Sequence, residues 1–276
     1  MSPDRGVGSS PEAIDTSVPQ SARVYDYWLG GKDNYPADRA MGEALAAQIP
    51  TIRTMVRAQR GFLARVVHHL TAEAGVRQFL DVGTGIPTFG NVHEVAQEVA
   101  PETRVLYVDN DPVVLAHARA LMTGTAEGRT ALIAADLREP STILDDPALT
   151  ATLDLDRPIA LMLIGVLHHL RDESDPYGVV ATLLDALAPG SYLAITHPAS
   201  DFDPAMVGMA ATAEGGGIPY VPRDHGECAR FFTGLEMVEP GLVPILGWRP
   251  DAGPQDVGGE PDVDSVWGWA GVGRKS

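Results

Sequence analysis

The sequence lacks the features that mark secreted and membrane-spanning proteins. Cys228 is the only cysteine in 276 residues, so no intrachain disulfide can form. No stretch reaches the roughly 18 apolar residues of a membrane span, and the N-terminus has no apolar segment typical of a signal peptide. No cluster of Cys and His has metal-ligand spacing, so we expect no metal site. These absences favour a cytoplasmic protein.

Basic residues are also scarce. The chain has 20 Lys and Arg against 37 Asp and Glu, which gives a formal net charge of −17 at pH 7. Such a surface repels nucleic acid phosphates and anionic membranes at long range, so we expect neither as a partner. Apolar residues make up 45% of the chain, which is ample for the core of a large α/β domain.

The stretch from Gln78 to Pro87, QFLDVGTGIP, carries the strongest local signal. Its pattern predicts a buried strand that ends at Gly83, Thr84 and Gly85 and is followed by a helix opening at Pro87. Glycine allows a positive φ and a close approach of ligand to backbone, and proline suits the first turn of a helix. A strand, a glycine turn and a helix N-terminus are typical of a nucleotide site. Glycines also occur in ordinary strand-to-helix turns, so this pattern alone is weak evidence.

Short apolar runs alternate with helical stretches beyond this point. The runs are QFLDV, RVLYVD, TALIAAD, PIALMLIG and SYLAITH, and the helical stretches include 90–99, 112–122 and 176–187. Runs of this length between turn residues indicate buried parallel strands, so the predicted fold is α/β, with a doubly wound, mostly parallel sheet. After His197 the alternation stops. Two late apolar stretches, joined by an acidic loop over 250–264, predict antiparallel closure of one sheet edge.

Three segments are predicted along the chain. Residues 1–19 are rich in Ser, Pro, Gly and Asp and are expected to form a disordered leader. Residues 20–75 are expected to form an N-terminal helical cap, and residues 76–276 the domain that holds the sheet. In the cap, Ser21 is a plausible N-cap for a short helix that Gly30 would end.

Polar and small residues follow the predicted strands where they end. Asp81 precedes the glycine turn, Asp109 and Asn110 end the second strand, and Asp136 ends the third. After the fourth strand come Gly165, Leu167, His168 and His169. Open α/β sheets bind ligands at the carboxyl ends of their strands, so this pattern predicts a ligand across that edge. Any single aspartate at a strand end is more often only the start of a turn.

The charge pattern bears on which nucleotide would bind. Asp109 lies 24 residues after Gly85, close to the about 20 expected for an acidic residue that accepts from ribose hydroxyls. Thr88 stands where dinucleotide sites have a third glycine, and Asp81 would lie close to any phosphate. S-adenosylmethionine has an ammonium group and a ribose diol but no phosphate, so it fits these carboxylates better than NAD or FAD.

The motifs DVGTG, VDNDP, AADL, GVLHHL and SYLAITH, over roughly residues 76–200, resemble in their order those of the class I S-adenosylmethionine-dependent methyltransferases. The segments SARVYDYWLGGKDNYPADR and FFTGLEMVEPGLV resemble one actinobacterial subfamily of these, long described as a domain of unknown function. The resemblance implies a Rossmann-like fold, S-adenosylmethionine as cofactor, and methyl transfer to an unidentified, small-molecule acceptor.

By the same resemblance, several residues are expected to bind the cofactor. Asp81, Gly83, Thr84 and Gly85 would line its methionine end, Asp109 its ribose, and Asn110, Asp136 and Leu137 its adenine. Gly165 and Leu167, after the fourth strand, complete the predicted set. The sequence departs from the family at Pro87, where many members carry a third glycine, so the path of the loop is left open.

An N-terminal lid is a further expectation. Aromatic residues beside the Gly-Gly pair in 21–35 are typical of a segment that closes over a small ligand. Tyr27, Gly30, Lys32 and Asn34 would then contact the cofactor or the acceptor. The alternative interpretation is a helix packed on the outside of the sheet.

Histidines at strand ends are candidates for a catalytic base. If the acceptor must lose a proton, His168, His169 and His197 are available, although the same histidines can instead pack or cap. Two other functions stay open at this point: a non-catalytic S-adenosylmethionine-binding or regulatory protein, and an NAD-dependent oxidoreductase.

Overall fold

The computed structural model describes residues 14–250 and 266–276. Most of the predicted leader and nearly all of the predicted acidic loop lie outside these ranges. Residues 14–20 contain neither helix nor strand. In the described ranges, no helix combines the length and the apolar character that a bilayer crossing requires.

One sheet forms the centre of the described fold. Its strands are β1 (Gln78–Val82), β2 (Arg104–Asp109), β3 (Arg129–Ala134), β4 (Ala160–Ile164), β5 (Tyr192–Pro198), β6 (Glu236–Met237), β7 (Val243–Pro244) and β8 (Gly268–Arg274). The first five run parallel in the order β3-β2-β1-β4-β5. Strand β8 pairs antiparallel with β5, and the short β6 and β7 pair antiparallel with β8. The predicted mostly parallel, doubly wound sheet with an antiparallel late strand is confirmed.

Helices cover both faces of the sheet. They are α1 (Ser21–Leu29), α2 (Pro36–Ala46), α3 (Ile52–Ala72), α4 (Val92–Val99), α5 (Pro112–Leu121), α6 (Pro140–Leu144), α7 (Pro147–Thr152), α8 (Pro176–Asp185), α9 (Ala205–Gly215) and α10 (His225–Arg230). Alternate residues of each strand belong to separate cores: Phe79 packs in one with Phe62 of α3, and Leu80 in the other with Leu183 of α8. Burial on both faces explains why the central strands are apolar throughout.

The helix predicted to open at Pro87 begins instead at Val92. Asn91 caps it, and the side chains of Asn91 and Glu94 form a reciprocal capping box that satisfies the first free N–H groups. Gly90, just before the cap, has a φ of 77° in the left-handed region, which a continuous helix cannot include. Residues 83–91 are therefore a loop, and the capping pair outweighs the preference of proline for a first helical turn.

The N-terminal helices pack on one another and on α3. Trp28 Nε1 donates to the carbonyl of Gly42 at 3.0 Å, and the Tyr25 hydroxyl donates to the carbonyl of Val56 at 3.1 Å. Gly30 ends α1 in the left-handed region as predicted, with a φ of 84°, whereas Gln20 rather than Ser21 is the N-cap. The division of the chain into a cap and a second domain stays a prediction.

A buried ion pair joins the start of α1 to the start of α2. Arg23 Nε lies 3.2 Å from Asp38 Oδ1, and the two side chains are 1% and 0% exposed. The Nε has no hydrogen-bond partner, so this contact is ionic only. The Asp38 carboxylate also accepts from the backbone N–H groups of Gln20 at 2.9 Å and Tyr35 at 2.8 Å. Asp38 therefore fixes both turns that flank α1.

The substitution Asp38→Ala is expected to lower the free energy of unfolding by about 3 to 5 kcal/mol, because it leaves the Arg23 guanidinium buried without a counter-charge. Urea unfolding followed by circular dichroism measures this loss. The matched control is Asp145→Ala, at the exposed C-terminal end of α6, which should change stability by less than about 0.5 kcal/mol. Equal effects of the two substitutions would contradict the structural role of Asp38.

Candidate functional site

A cavity of about 370 Å³ opens along the carboxyl edge of the sheet. The residues that follow β1, β2 and β3 line one end, and residues at the ends of β4 and β5 and the start of β8 line the other. Helices α1 and α3 contribute further walls. Parallel strands end at a common edge, so the topology alone places these side chains around one space of the size typical for small ligands.

The glycine loop after β1 is held by the end of β2. Gly83 and Gly85 have φ values of 76° and 69°, a region that other residues adopt only with strain. Asp109 Oδ2 accepts from the N–H of Gly85 at 2.9 Å, and its Oδ1 accepts from the N–H of Asp111 at 2.9 Å. A Cβ at Gly85 would meet no atom within 4 Å, so the backbone here borders open space. Asp109 thus shapes the loop and still retains a second lone pair on each oxygen.

Asp81 is a buried carboxyl group beside the same loop. Asp81 is 6% exposed, and the Thr84 hydroxyl donates to its Oδ2 at 3.2 Å. Burial raises the pKa of Asp81 to about 7, against the opposing effect of the Arg60 guanidinium, and the nearby Asp109 raises it further. A cation placed beside Asp81 would favour its charged form.

Asn110, Asp136 and Leu137 also line the cavity, at the β2 and β3 ends. Asn110 Nδ2 donates to Asp136 Oδ2 at 3.1 Å, and Arg138 Nη2 reaches the same oxygen at 2.5 Å. These hydrogen bonds, Arg138 first, lower the pKa of Asp136. The structure therefore brings together all the residues predicted for the methionine, ribose and adenine ends.

After β4, Gly165 lines the cavity and Leu167 does not. Gly165 has a φ of 67°, a backbone conformation that favours glycine, and a Cβ there would also displace the end of the Gln59 side chain. Leu167 is fully buried in the core on the opposite face of the sheet. The side chain of Leu167 therefore packs in the core and not on the cavity wall, and a contact of Leu167 with the cofactor stays a prediction.

The predicted histidines all line the cavity, but they differ in which ring nitrogen is left without a hydrogen bond. His169 Nδ1 donates to the carbonyl of Pro219 at 2.7 Å, which leaves Nε2 as a free acceptor. His197 Nδ1 donates to the carbonyl of Pro198 at 3.0 Å, and its Nε2 accepts from Arg223 at 3.1 Å. With both nitrogens engaged, His197 has no lone pair with which to accept a proton, so the expectation of a base at this position does not fit its geometry.

Burial keeps the imidazoles of this wall uncharged at neutral pH. It lowers the pKa of His197 to about 3, lowers that of His168 well below its usual range, and lowers that of His169. His168 is 8% exposed, and its buried Nδ1 has no hydrogen-bond partner. Its ring centroid lies 4.0 Å from that of His169 and 4.6 Å from that of Tyr220.

Four predicted N-terminal residues lie away from the cavity wall: Tyr27, Gly30, Lys32 and Asn34. Tyr27 stacks under Arg53 and donates its hydroxyl to Glu43 instead. Asn34 Nδ2 donates to Asp26 Oδ2 at 2.8 Å, and Lys32 is exposed. The helix does face the cavity, through Val24, Tyr25 and Trp28. The predicted segment is therefore at the site, but the residues that line it are different.

Arg60 and Gln59 of α3 were not predicted as site residues. Arg60 Nη2 donates to the carbonyls of Phe89 at 3.1 Å and Gly90 at 2.9 Å, so it holds the far end of the glycine loop. Both side chains line the cavity. The sequence did contain a signal: these two polar residues interrupt the apolar stripe of a core-facing helix between Val56 and Leu63.

Comparison with known proteins gives one family and two close structures. A family model described as S-adenosyl methyltransferase matches residues 8–276. A DUF574 family protein from Streptomyces avermitilis MA-4680 is 46% identical with a TM-score of 0.90, over 96% of this chain and 100% of that chain. A putative methyltransferase from Thermobifida fusca YX is 42% identical with a TM-score of 0.87, over 95% of this chain and 96% of that chain. No curated protein matches the chain.

A more distant structure shares the fold. The plantazolicin methyltransferase BamL, in complex with a triazolic desmethylPZN analog and S-adenosylhomocysteine, is 11% identical with a TM-score of 0.56, over 92% of this chain and 95% of that chain. At that identity the likeness concerns the architecture alone.

Because Asp81 is buried, the substitution Asp81→Asn is expected to increase the free energy of unfolding by an amount that depends on pH. Because the folded-state pKa is raised from 3.8 to about 7, the stability from protonated Asp81 is complete below pH 3.8 and lost as pH rises towards 7. Asparagine keeps the neutral shape, so its stabilising effect should grow by about 1.4 kcal/mol per pH unit between pH 5 and 7. Thermal unfolding without added ligand at pH 5, 6, 7 and 8 measures the difference.

Asp136→Asn is the matched control, and it is expected to lower the stability rather than raise it. The pKa of Asp136 is lowered, so its contribution is present above the unfolded-state pKa of 3.8 and lost only as pH falls further. This variant should be destabilised by a constant amount from pH 5 to 8. A flat profile for Asp81→Asn as well would show that Asp81 is not held in its protonated form.

Proposed function

Because the chain belongs to the S-adenosyl methyltransferase family, we propose that it transfers a methyl group from S-adenosylmethionine to a small-molecule acceptor bound in the same cavity. One observation carries the proposal: two buried carboxyl groups and a glycine loop stand at one end of a cavity whose other end holds uncharged imidazoles. The expectation of a cytoplasmic location stays a prediction.

The residues at the β1 and β2 ends fit this cofactor. The free lone pairs of Asp109 match the two hydroxyls of a ribose, and the open space at Gly85 lets a nucleoside approach the backbone. Asp81 has a raised pKa that an ammonium group would lower, so the two would stabilise each other. Arg60, whose charge acts on Asp81, is available for a carboxylate. A phosphate at this position would instead meet the Asp81 carboxylate.

When bound, the cofactor supplies a methyl group already activated by its sulfonium, so the protein chiefly aligns the reactants and excludes water. Tyr25 and Trp28 of α1 line the cavity and help to exclude water from it. If the acceptor must lose a proton, His169 is the best placed of the three histidines. Its Nδ1–H is fixed by the carbonyl of Pro219, which presents a lone pair on Nε2.

The two other functions suggested by the sequence have less support. A dinucleotide would bring a pyrophosphate next to Asp81, and loop 83–91 is not a helix N-terminus that could bind it. A non-catalytic binding protein would have the same cofactor end, so only turnover distinguishes it.

Isothermal titration calorimetry tests the cofactor directly. We expect S-adenosylmethionine and S-adenosylhomocysteine to bind and NAD to give no heat, because the cavity offers carboxylates rather than phosphate donors. Incubation with methyl-labelled S-adenosylmethionine and a small-metabolite extract should then transfer label to a small molecule. Binding of NAD alone would overturn the cofactor assignment. Binding of both sulfur nucleosides with no label transfer to any fraction would favour the non-catalytic alternative.

The substitution Asp109→Asn should weaken S-adenosylhomocysteine binding by about 10-fold or more. The amide keeps the shape of the carboxyl group, but it loses the charge and one acceptor oxygen of hydrogen bonds worth about 1.5 to 3 kcal/mol each. Titration calorimetry measures the affinity, and circular dichroism checks the fold. Asp145→Asn, on the exposed surface, should bind as the parent does. If folded Asp109→Asn binds normally, the ribose is held by other groups.

A further inference from the structure

The two ends of the cavity differ in charge. Of the residues that the structure describes, six charged ones line it: Arg60, Asp81, Asp109, Asp111, Asp136 and Arg138. All of them lie at the carboxyl ends of β1, β2 and β3 or, for Arg60, beside the loop that follows β1. Among the described residues at the β4, β5 and β8 end, the cavity wall includes no Asp, Glu, Lys or Arg. We call this uncharged part the acceptor compartment.

Most of the acceptor compartment is apolar and comes from five separate parts of the chain. Trp28, Met55, Ile218, Ile245 and Trp267 represent α1, α3, the segment after α9, the turn after β7 and the start of β8. The indole N–H of Trp28 is already bonded to the carbonyl of Gly42. The guanidinium of Arg223, behind His197, is already paired with Asp172. A charged group placed here would therefore lose its hydration without gaining a free counter-charge, which costs far more than burying a neutral polar group.

One wall of the compartment nevertheless carries polar atoms without partners. The Nδ1 of His168 and the Oγ1 of Thr196 are buried and make no hydrogen bond to any residue in 14–250 or 266–276. Tyr220 is 9% exposed, and its hydroxyl has no hydrogen-bond partner among the described residues. The Nε2 of His169 is the free acceptor on the same wall. Buried polar atoms normally have partners, so the two buried unpaired atoms, His168 Nδ1 and Thr196 Oγ1, indicate a ligand group that pairs with them. The Tyr220 hydroxyl and His169 Nε2 are accessible from the cavity and can bond the same group.

We infer that the acceptor is an uncharged, largely apolar molecule with one protic group, a hydroxyl or an N–H, directed at the wall formed by His168, His169, Thr196 and Tyr220. This inference rests on the proposed function and names its substrate class. The apolar body fills the space between α1, α3 and β8, and the protic group pairs with the unpartnered nitrogen and oxygen atoms. The same contact places the proton of the acceptor near His169 Nε2, where its removal would accompany methylation.

A matched set of simple compounds tests whether the compartment prefers uncharged ligands, on protein saturated with S-adenosylhomocysteine. The set is 2-naphthol, naphthalene, 2-naphthoate and 2-naphthylmethylammonium, with 1-octanol and octanoate as a second scaffold. We expect a neutral alcohol of at least one scaffold to bind about 10-fold or more tighter than its charged counterparts in titration calorimetry. The ammonium compound is decisive, because the net charge of −17 would attract it whereas the compartment should reject it. Repeating the titrations in 0.5 M NaCl removes most of the long-range effect.

The variant Tyr220→Phe tests the polar wall while keeping the ring. It should reduce the affinity for the bound alcohol by about five-fold, the equivalent of one neutral hydrogen bond, and leave binding of naphthalene unchanged.

Equal or tighter binding of a carboxylate or ammonium compound would overturn the inference, as would no binding of either alcohol, or an alcohol affinity that Tyr220→Phe does not change. In each of these cases S-adenosylhomocysteine still binds and the proposed function stands. If S-adenosylhomocysteine itself fails to bind, the proposed function fails, and this inference fails with it.

Discussion

The structure depends on two carboxyl groups that are buried next to each other at the ends of neighbouring strands. Asp81 lies one residue before the end of β1, and Asp109 ends β2. Burial raises the pKa of Asp81, and the nearby Asp109 raises it further. Asp109 accepts hydrogen bonds from the backbone of the glycine loop, whereas the charged form of Asp81 is stabilised only by the Thr84 hydroxyl and the charge of Arg60. Without a ligand, the two carboxyl groups have fewer hydrogen-bond donors than they can accept from. A cofactor with a cation and a diol supplies what the protein leaves out.

The sheet and the cofactor end could be predicted because both are local in sequence. An apolar run followed by Asp81 or Asp109 specifies a strand and the polar group at its end, and parallel topology then brings the ends together. The N-terminal segment was harder. Its helix α1 lines the cavity, and a lid over the cofactor stays a prediction. Which aromatic side chain faces the cavity, Tyr25 rather than Tyr27, depends on packing against α2 and α3, which no local pattern encodes. Leu167 differs for the same reason, since one residue in a turn decides which face of the sheet it reaches.

The acceptor end could not be predicted from any single stretch. Its walls combine residues as far apart in sequence as Trp28 and Trp267, and no motif links them. The same distribution gives the site its chemical contrast: the parallel strands β1 to β3 end in charged groups, while the later strands end in glycine, histidine and apolar residues. On the inference drawn above, a charged donor and an uncharged acceptor would have opposite solvation needs. The division of the cavity along the sheet would then give each a suitable environment.

The position of β8 between β5 and the short β6 has a consequence for synthesis of the protein. Strand β5, with the sequence YLAITHP, is completed about 70 residues before the partner that covers its edge, since β8 begins at Gly268. A nascent chain elongating at roughly 5 to 20 residues per second therefore exposes an apolar, unpaired strand edge for several seconds. During that interval the cavity lacks a wall, and the growing polypeptide has the features that chaperones recognise. The wall that β8 contributes belongs to the acceptor compartment, so that part of the cavity is completed only after the cofactor end at β1, β2 and β3.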